Sequence, residues 1–167
     1  ELKLVRYQTD LLNRSHLRFS QNYEGLPVWP AELMVHLNPD GDVCLMNGAY
    51  IPTPRKMVTQ PVINADEAVE LARAEMRATY NMEGELSADE PILIIYAPGD
   101  KAPRLAWKTE IDISVTAKWL VMIDALNGMT LTAFNQVADA NVTGTGVDLF
   151  GETRSLNVWS EGGRYYM

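Results

Sequence analysis

An α+β fold is predicted, made of two small modules that are each an antiparallel sheet, the second with a helix packed on it. Three features of the sequence predict it. Period-two apolar patterning fills residues 15–37, one capped helical stripe stands alone at residues 64–80, and strand texture returns after Gly84. The expected organisation is a first module over residues 1–56, a second over 57–137, and a terminal segment over 138–167.

Residues 3–9 mix apolar and polar side chains and read as a first strand. Leu17, Phe19 and Gln21 then alternate with Arg18, Ser20 and Asn22, the period of a half-buried strand. Glu24 and Gly25 turn the chain, and Pro27 falls at a strand start, where its missing N–H costs nothing. Leu33, Val35 and Leu37 alternate with Glu32, Met34 and His36, and the run from Asn38 to Gly41 favours a tight turn. Residues 43–46 continue the hairpin before Asn47 and Gly48 turn again.

Pro52 and Pro54 rule out a regular ladder, so residues 50–62 read as a linker. Asn64 caps a helix, with Glu67 placed three residues on as in a capping box. Asp66 and Glu67 suit the positive end of the helix dipole. Ala65, Val69, Ala72, Met76 and Tyr80 form its apolar stripe, and the small residues predict close packing on a sheet.

Beyond Gly84, residues 91–97 are a continuous apolar run closed by Pro98 and Gly99. Leu105, Trp107, Thr109, Ile111 and Ile113 alternate with polar or small neighbours. Residues 119–123 form another strand, and a turn from Asp124 to Gly128 leads into residues 129–134. Asp124 suits a turn because its carboxylate bonds nearby backbone amides, and Gly128 supplies positive φ.

The chain has 167 residues, 47% hydrophobic and 22% charged, ordinary for a folded domain or two small ones. A formal charge of −8 with scattered Lys and Arg argues against a nucleic-acid partner, which needs a basic face. No run of about 18 apolar residues offers a membrane span. Cys44 is the one cysteine, which excludes an intrachain disulfide and a thiolate metal site. Between Val43 and Leu45 it reads as a packed, inert thiol.

Catalytic chemistry finds little support. The histidines are His16 and His36, without the His-Glu-x-x-His spacing that sets two imidazoles on one zinc. They could meet across the hairpin, but a metal there lacks a third ligand, so hydrogen-bonded histidines at a sheet edge are expected. No Ser-His-Asp or Cys-His set is evident, and the chain reads as non-catalytic. Arg18 reads as a brace to Asp10 or Glu32, with a partner carboxylate as the second reading. Trp29 is either a contact residue at the hairpin turn or a cap on the core. Asn13 and Asn141 begin three-residue glycosylation patterns, which arise readily by chance.

His16, Arg18, Gln21, Gly25, Pro27, Val28, His36, Asp40, Gly41, Asn47 and Gly48 together resemble the propeptide module of fungalysin and thermolysin-like metallopeptidases. Trp29-Pro30 departs from that family, which carries small residues there. Residues 64–135 resemble a PepSY domain in the capped helix, the Leu105–Lys108 segment, and the hairpin holding Trp119, Asp124 and Gly128. Residues 144–151, 154–157 and 163–167 resemble the first strands of a mature thermolysin-like catalytic domain, which would normally continue further.

The resemblance implies a proregion, an intramolecular chaperone and inhibitor whose partner is the cognate metallopeptidase catalytic domain. It implies secretion, with no signal peptide in this chain, and zinc and calcium in the parent catalytic domain rather than here. Maturation is expected near Asp139, Ala140, Asn141, Val142 and Thr143, between the PepSY-like and mature-like parts. The rival reading is a stand-alone PepSY-type module that regulates another secreted or envelope protein.

Overall fold

The computed structural model describes residues 1–52, 56–99, 102–114, 117–137, 142–161 and 164–166. In chain order the elements are β1 (Leu2–Thr9), β2 (Ser15–Tyr23), β3 (Leu26–Leu37), β4 (Val43–Gly48) and α1 (Ala65–Tyr80). Then come β5 (Ser87–Ala88), β6 (Ile92–Tyr96), β7 (Arg104–Ser114), β8 (Ala117–Asp124) and β9 (Thr130–Asn135). β10 (Val142–Val147), β11 (Thr153–Glu161) and β12 (Arg164–Tyr166) make a separate three-stranded sheet. The fold is mostly sheet with one helix among the described residues, an α+β arrangement.

Strands from both halves lie in one nine-stranded sheet, where two separate antiparallel sheets were expected. The strand that joins them is β3. Its C-terminal half pairs with β4 from Leu33 to Leu37, while Val28 and Trp29 pair in parallel with Ile95 and Tyr96 of β6. Pro30 lies between the two pairings, behind a cis peptide bond to Trp29, and has no N–H to offer either ladder. Val28, Ala31, Ile95 and Ala97 are buried together at this junction, so apolar burial holds the halves side by side. Every other pairing in the sheet is antiparallel.

The β2–β3 turn places Glu24 at φ 49° and Gly25 at φ 86°. Two consecutive positive φ values define the hairpin turn whose twist matches its strands. β2 and β3 are interior strands, flanked by β1 and β4, so the histidines they carry are not at the sheet edge. β4 is exposed along its length, and Cys44 with it, contrary to the packed thiol expected. Alternation alone does not bury an edge strand when no element covers it. The thiol donates to the His36 carbonyl at 3.3 Å.

Helix α1 starts where its cap predicts, with the Asn64 Oδ1 accepting from the Glu67 amide at 2.9 Å. Its buried residues are Ala68, Ala72 and Met76, whereas Ala65 and Val69 of the expected stripe are partly exposed. The line through positions four apart is the one that meets the sheet, because Ala68 and Ala72 let the backbone approach. With Leu86, Ile111, Val121 and Ile123 these residues form the core, ringed by Leu71, Trp107 and Trp119. The opposite sheet face buries Ile94, Ala106, Leu120 and Met122 beneath Trp29 and Tyr96. β8 is thus covered on both sides, which explains its unbroken apolar run. Asn64→Ala removes the cap and is expected to lower stability by about 1 kcal/mol, read by thermal unfolding.

Residues 50–62 carry no strand or helix among those described, as a linker should, but both ends are tied down. The Val62 and Ile63 amides donate to the Ala125 carbonyl at 2.8 and 2.9 Å. The Trp107 indole N–H donates to the Ile63 carbonyl at 2.7 Å. Ile51 and Met57 pack against the Val28 cluster.

Candidate functional site

The residues singled out by sequence gather in two places. His16, Arg18, Gln21, Pro27, Val28 and Gly48 lie along β2, β3 and β4 with Gly25 in the β2–β3 turn, while Asp124 and Gly128 bound the β8–β9 turn.

On the first sheet His16 and His36 are directly opposed across β2 and β3. Their Nδ1 atoms are 2.7 Å apart, and their rings meet edge to face with centroids separated by 4.9 Å. His16 Nε2 lies 3.2 Å from Asp10 Oδ2, and His36 Nε2 lies 2.9 Å from Asn47 Oδ1. Asp10 also accepts from the Leu12 and Arg14 amides at 2.8 and 2.9 Å, which shapes the loop between β1 and β2. The Arg14 amide, foremost, and the bonds from His16 and Leu12 hold the Asp10 carboxyl below its usual range despite opposing desolvation.

Arg18 braces Glu32 at 3.8 Å rather than Asp10. Both side chains are about half exposed, so the pair contributes at most about 1 kcal/mol. Gln21 is the buried polar residue of this region, 1% exposed. Its amide nitrogen donates to the Ile51 carbonyl at 2.6 Å, and its amide oxygen accepts from the Ile51 N–H at 2.9 Å. One side chain therefore acts as a two-bond strand partner for the start of the linker. Gln21→Leu strands both backbone groups and is expected to cost about 2 kcal/mol in urea unfolding, because Ile51 is only half-buried and water recovers part of the loss.

Trp29 sits inside β3 rather than at the turn, and it stacks near Tyr96 and Phe134 with centroids 5.6 and 6.5 Å away. It caps the core. Asp124 is 3% exposed, and its Oδ1 accepts from the Leu126 and Asn127 amides at 2.9 and 3.3 Å. Its Oδ2 lies 3.3 Å from Arg104. Gly128, at φ 75°, approaches Leu71 of α1 closely enough that a Cβ would stand 3.0 Å from Leu71 Cδ1. The Asp124–Gly128 turn is therefore held from within and packed under the helix.

Asp139, Ala140 and Asn141 of the expected maturation junction lie outside the described residues, as do Thr53 and Pro54 of the linker. Val142 and Thr143 begin β10. Among the described residues no group of three or more His, Cys, Asp or Glu could hold a metal, and no helix is long and apolar enough to cross a membrane. Sequence reasoning missed Asp10 and Asn47 as partners of the histidines. Their types carried a signal, since both favour local bonds, but only the β1–β4 register brings them to the rings.

Residues 1–50, which span β1 to β4, match the family described as the Fungalysin/Thermolysin Propeptide Motif. The matched segment makes up 50 of the chain's 167 residues. Over 99% of its length the chain is also 29% identical to thermolysin of Alicyclobacillus acidocaldarius subsp. acidocaldarius, covering 34% of that protein. Bacillolysin of Bacillus subtilis (strain 168) is 29% identical over 99% of this chain and 33% of its own length. The chain spans about a third of the curated relatives it matches. Among solved structures, the Bacillus megaterium YpeB C-terminal domain superposes with a TM-score of 0.50 at 14% identity, covering 80% of this chain and 56% of that one. That likeness concerns the fold alone. The segment that matches the propeptide family therefore contains the whole His16–Gln21–Gly48 region, and the similarity to thermolysins extends past it through the second half.

Proposed function

We propose that this chain is the N-terminal proregion of a thermolysin-like metallopeptidase, which templates the folding of the catalytic domain and then inhibits it. In this reading residues 1–56 are the propeptide-motif module, 57–137 are a PepSY-like domain, and 138–167 hold the maturation junction and the start of the catalytic domain. The chain is non-catalytic, and zinc and calcium belong to the catalytic domain that it serves. The protein acts outside the cell.

The observation that carries the proposal is an apolar surface left open on the propeptide motif. Leu2, Leu4, Val5 and Tyr7 of β1 and Val43, Leu45 and Met46 of β4 are all exposed. The buried side chains of β1 to β4 are Gln21, Val28 and Ala31. Exposed apolar side chains on both of the strands that flank β2 and β3 favour surfaces that a partner covers. Val147 at the end of β10 and Leu149 and Phe150 in the β10–β11 turn are exposed as well. A segment leaving β9 can lie extended in a substrate cleft and add main-chain hydrogen bonds, in the manner of strand addition. A large peptidase with a slow folding barrier gains from such a preformed surface.

The test mixes the purified chain with the mature peptidase, native and denatured. Tight inhibition is expected, about 12 kcal/mol if nanomolar, together with recovery of activity from the denatured enzyme. Neither effect would leave the stand-alone regulatory module as the better account.

A further inference from the structure

β1 opens the strand order of the nine-stranded sheet. One side of its backbone pairs with β2, and the other side meets no strand among the described residues. Every residue of β1 is exposed. An edge of this kind offers a row of N–H and C=O groups to any extended segment that reaches it.

The cross-strand register states what such a segment must carry. Leu33, Phe19 and Leu4 form one apolar row from β3 through β2 to β1, and Val35, Leu17 and Tyr7 form another. Leu4 and Tyr7 end these rows at the open edge, 49% and 60% exposed. A further strand would continue both rows with apolar side chains. The other face of β1 carries Lys3, opposite Ser20, and Arg6, opposite Arg18. Like charges set directly across two strands are destabilising unless anions stand beside them. Glu32 of β3 answers Arg18 from the inner side. No carboxylate pairs with Lys3 or Arg6 among the described residues. The place from which one could come is the open side.

The same charges select against a second copy of this chain. A copy of β1 added in register would set Lys3 and Arg6 against their own counterparts. The register shift between Leu4 and Arg6 also bends the edge. Cations and a bulge deter an edge from pairing with itself, but neither deters an acidic strand. Over residues 1–23 Lys3, Arg6, Arg14 and Arg18 outnumber Glu1 and Asp10, in a chain whose formal charge is −8. The β1–β2 hairpin is thus a basic arm on an acidic chain.

We propose that the outer edge of β1 is a docking edge for an extended acidic peptide segment. The segment adds to the sheet as a further strand, with apolar side chains beside Leu4 and Tyr7 and carboxylates beside Lys3 and Arg6. Main-chain hydrogen bonds supply the affinity of such an addition, and the alternating side chains supply the choice of partner. This inference goes beyond the proregion reading and does not rest on it.

The test titrates the whole isotope-labelled chain with a capped peptide of alternating glutamate and valine, up to about millimolar, where weak strand addition is still measurable. Amide shifts are expected at residues 2–9, with alternate amides of β1 gaining exchange protection. Affinity should fall as added salt shortens the screening length. Lys3→Glu combined with Arg6→Glu is expected to weaken binding roughly tenfold and to transfer the preference to a lysine–valine peptide, because each cross-strand charge pair changes sign. Amide positions in β3 that match the wild-type chain establish that this variant is folded. Absence of shifts at residues 2–9 would overturn the proposal. So would equal binding of the lysine–valine peptide by the wild-type chain, which would leave only an apolar patch. Dimerisation through β1 without peptide would overturn it as well, since the edge would then take a second copy.

Discussion

Gly48→Ala is expected to destabilise the chain by roughly 3–5 kcal/mol, a cost that combines an unfavourable backbone region with a backbone clash. Gly48 has φ 128°, a conformation that residues with a Cβ rarely adopt. A Cβ there would overlap the carbonyl oxygen of Glu32, which also accepts from the Ala49 amide at 2.8 Å. The obstacle is backbone, so no side-chain rotation relieves it. β4 must shift away from β3, and the pairing from Leu33 to Leu37 is lost first. Urea unfolding gives the magnitude, and hydrogen exchange on β3 and β4 gives the place. Gly25→Ala is the control. A Cβ at Gly25 meets nothing within 4 Å, so only the positive φ of 86° is penalised, at about 1–2 kcal/mol.

Met76→Ala is the second large effect, at roughly 2–5 kcal/mol. Met76 is fully buried among Leu86, Ile111, Val121 and Ile123, where helix and sheet meet. Removing its thioether takes apolar area out of the core and leaves a cavity that the rigid sheet cannot fill. For a chain of this size each kcal/mol lowers Tm by about 2–4 °C, so calorimetry resolves the loss. Val69→Ala, on the partly exposed flank of the same helix, should cost less than about 1 kcal/mol. Equal losses at the two positions would contradict the packing described for α1.

Much of this architecture is legible in the sequence, and the remainder has an identifiable cause. The Asn64 cap and the Asp124–Gly128 turn are set by side chains bonding backbone a few residues away, the Glu24–Gly25 turn by positive φ at both residues, and all three lie where their residues predict. The apolar stripe in the sequence runs slightly off the buried line of the helix, because an alanine at position 68 gives a weaker apolar signal than a valine at position 69. The joining of β3 to β6 was not legible. A parallel contact between Val28 and Ile95, far apart in the chain, leaves no periodic trace. The exposure of Cys44 depends on the lack of anything packed on β4, a tertiary fact. The sequence allows the histidines to meet across the hairpin, and the β2–β3 register sets them opposite each other on interior strands rather than at the sheet edge. Asp10 and Asn47 complete that row only through the flanking strands. Gln21 was legible as a half-buried strand residue, while its hold on Ile51, thirty residues on, was not.

The most direct measurement of the proregion reading follows the full-length gene product, expressed with zinc, by mass spectrometry and peptidase assay over time. The account predicts a cut between about residues 135 and 145, where the sequence that follows the second half is polar and turn-prone. The two pieces should copurify, and peptidase activity should appear only as the first piece is destroyed. An uncut product that stays inactive, or an enzyme active while this chain is intact and bound, would contradict it.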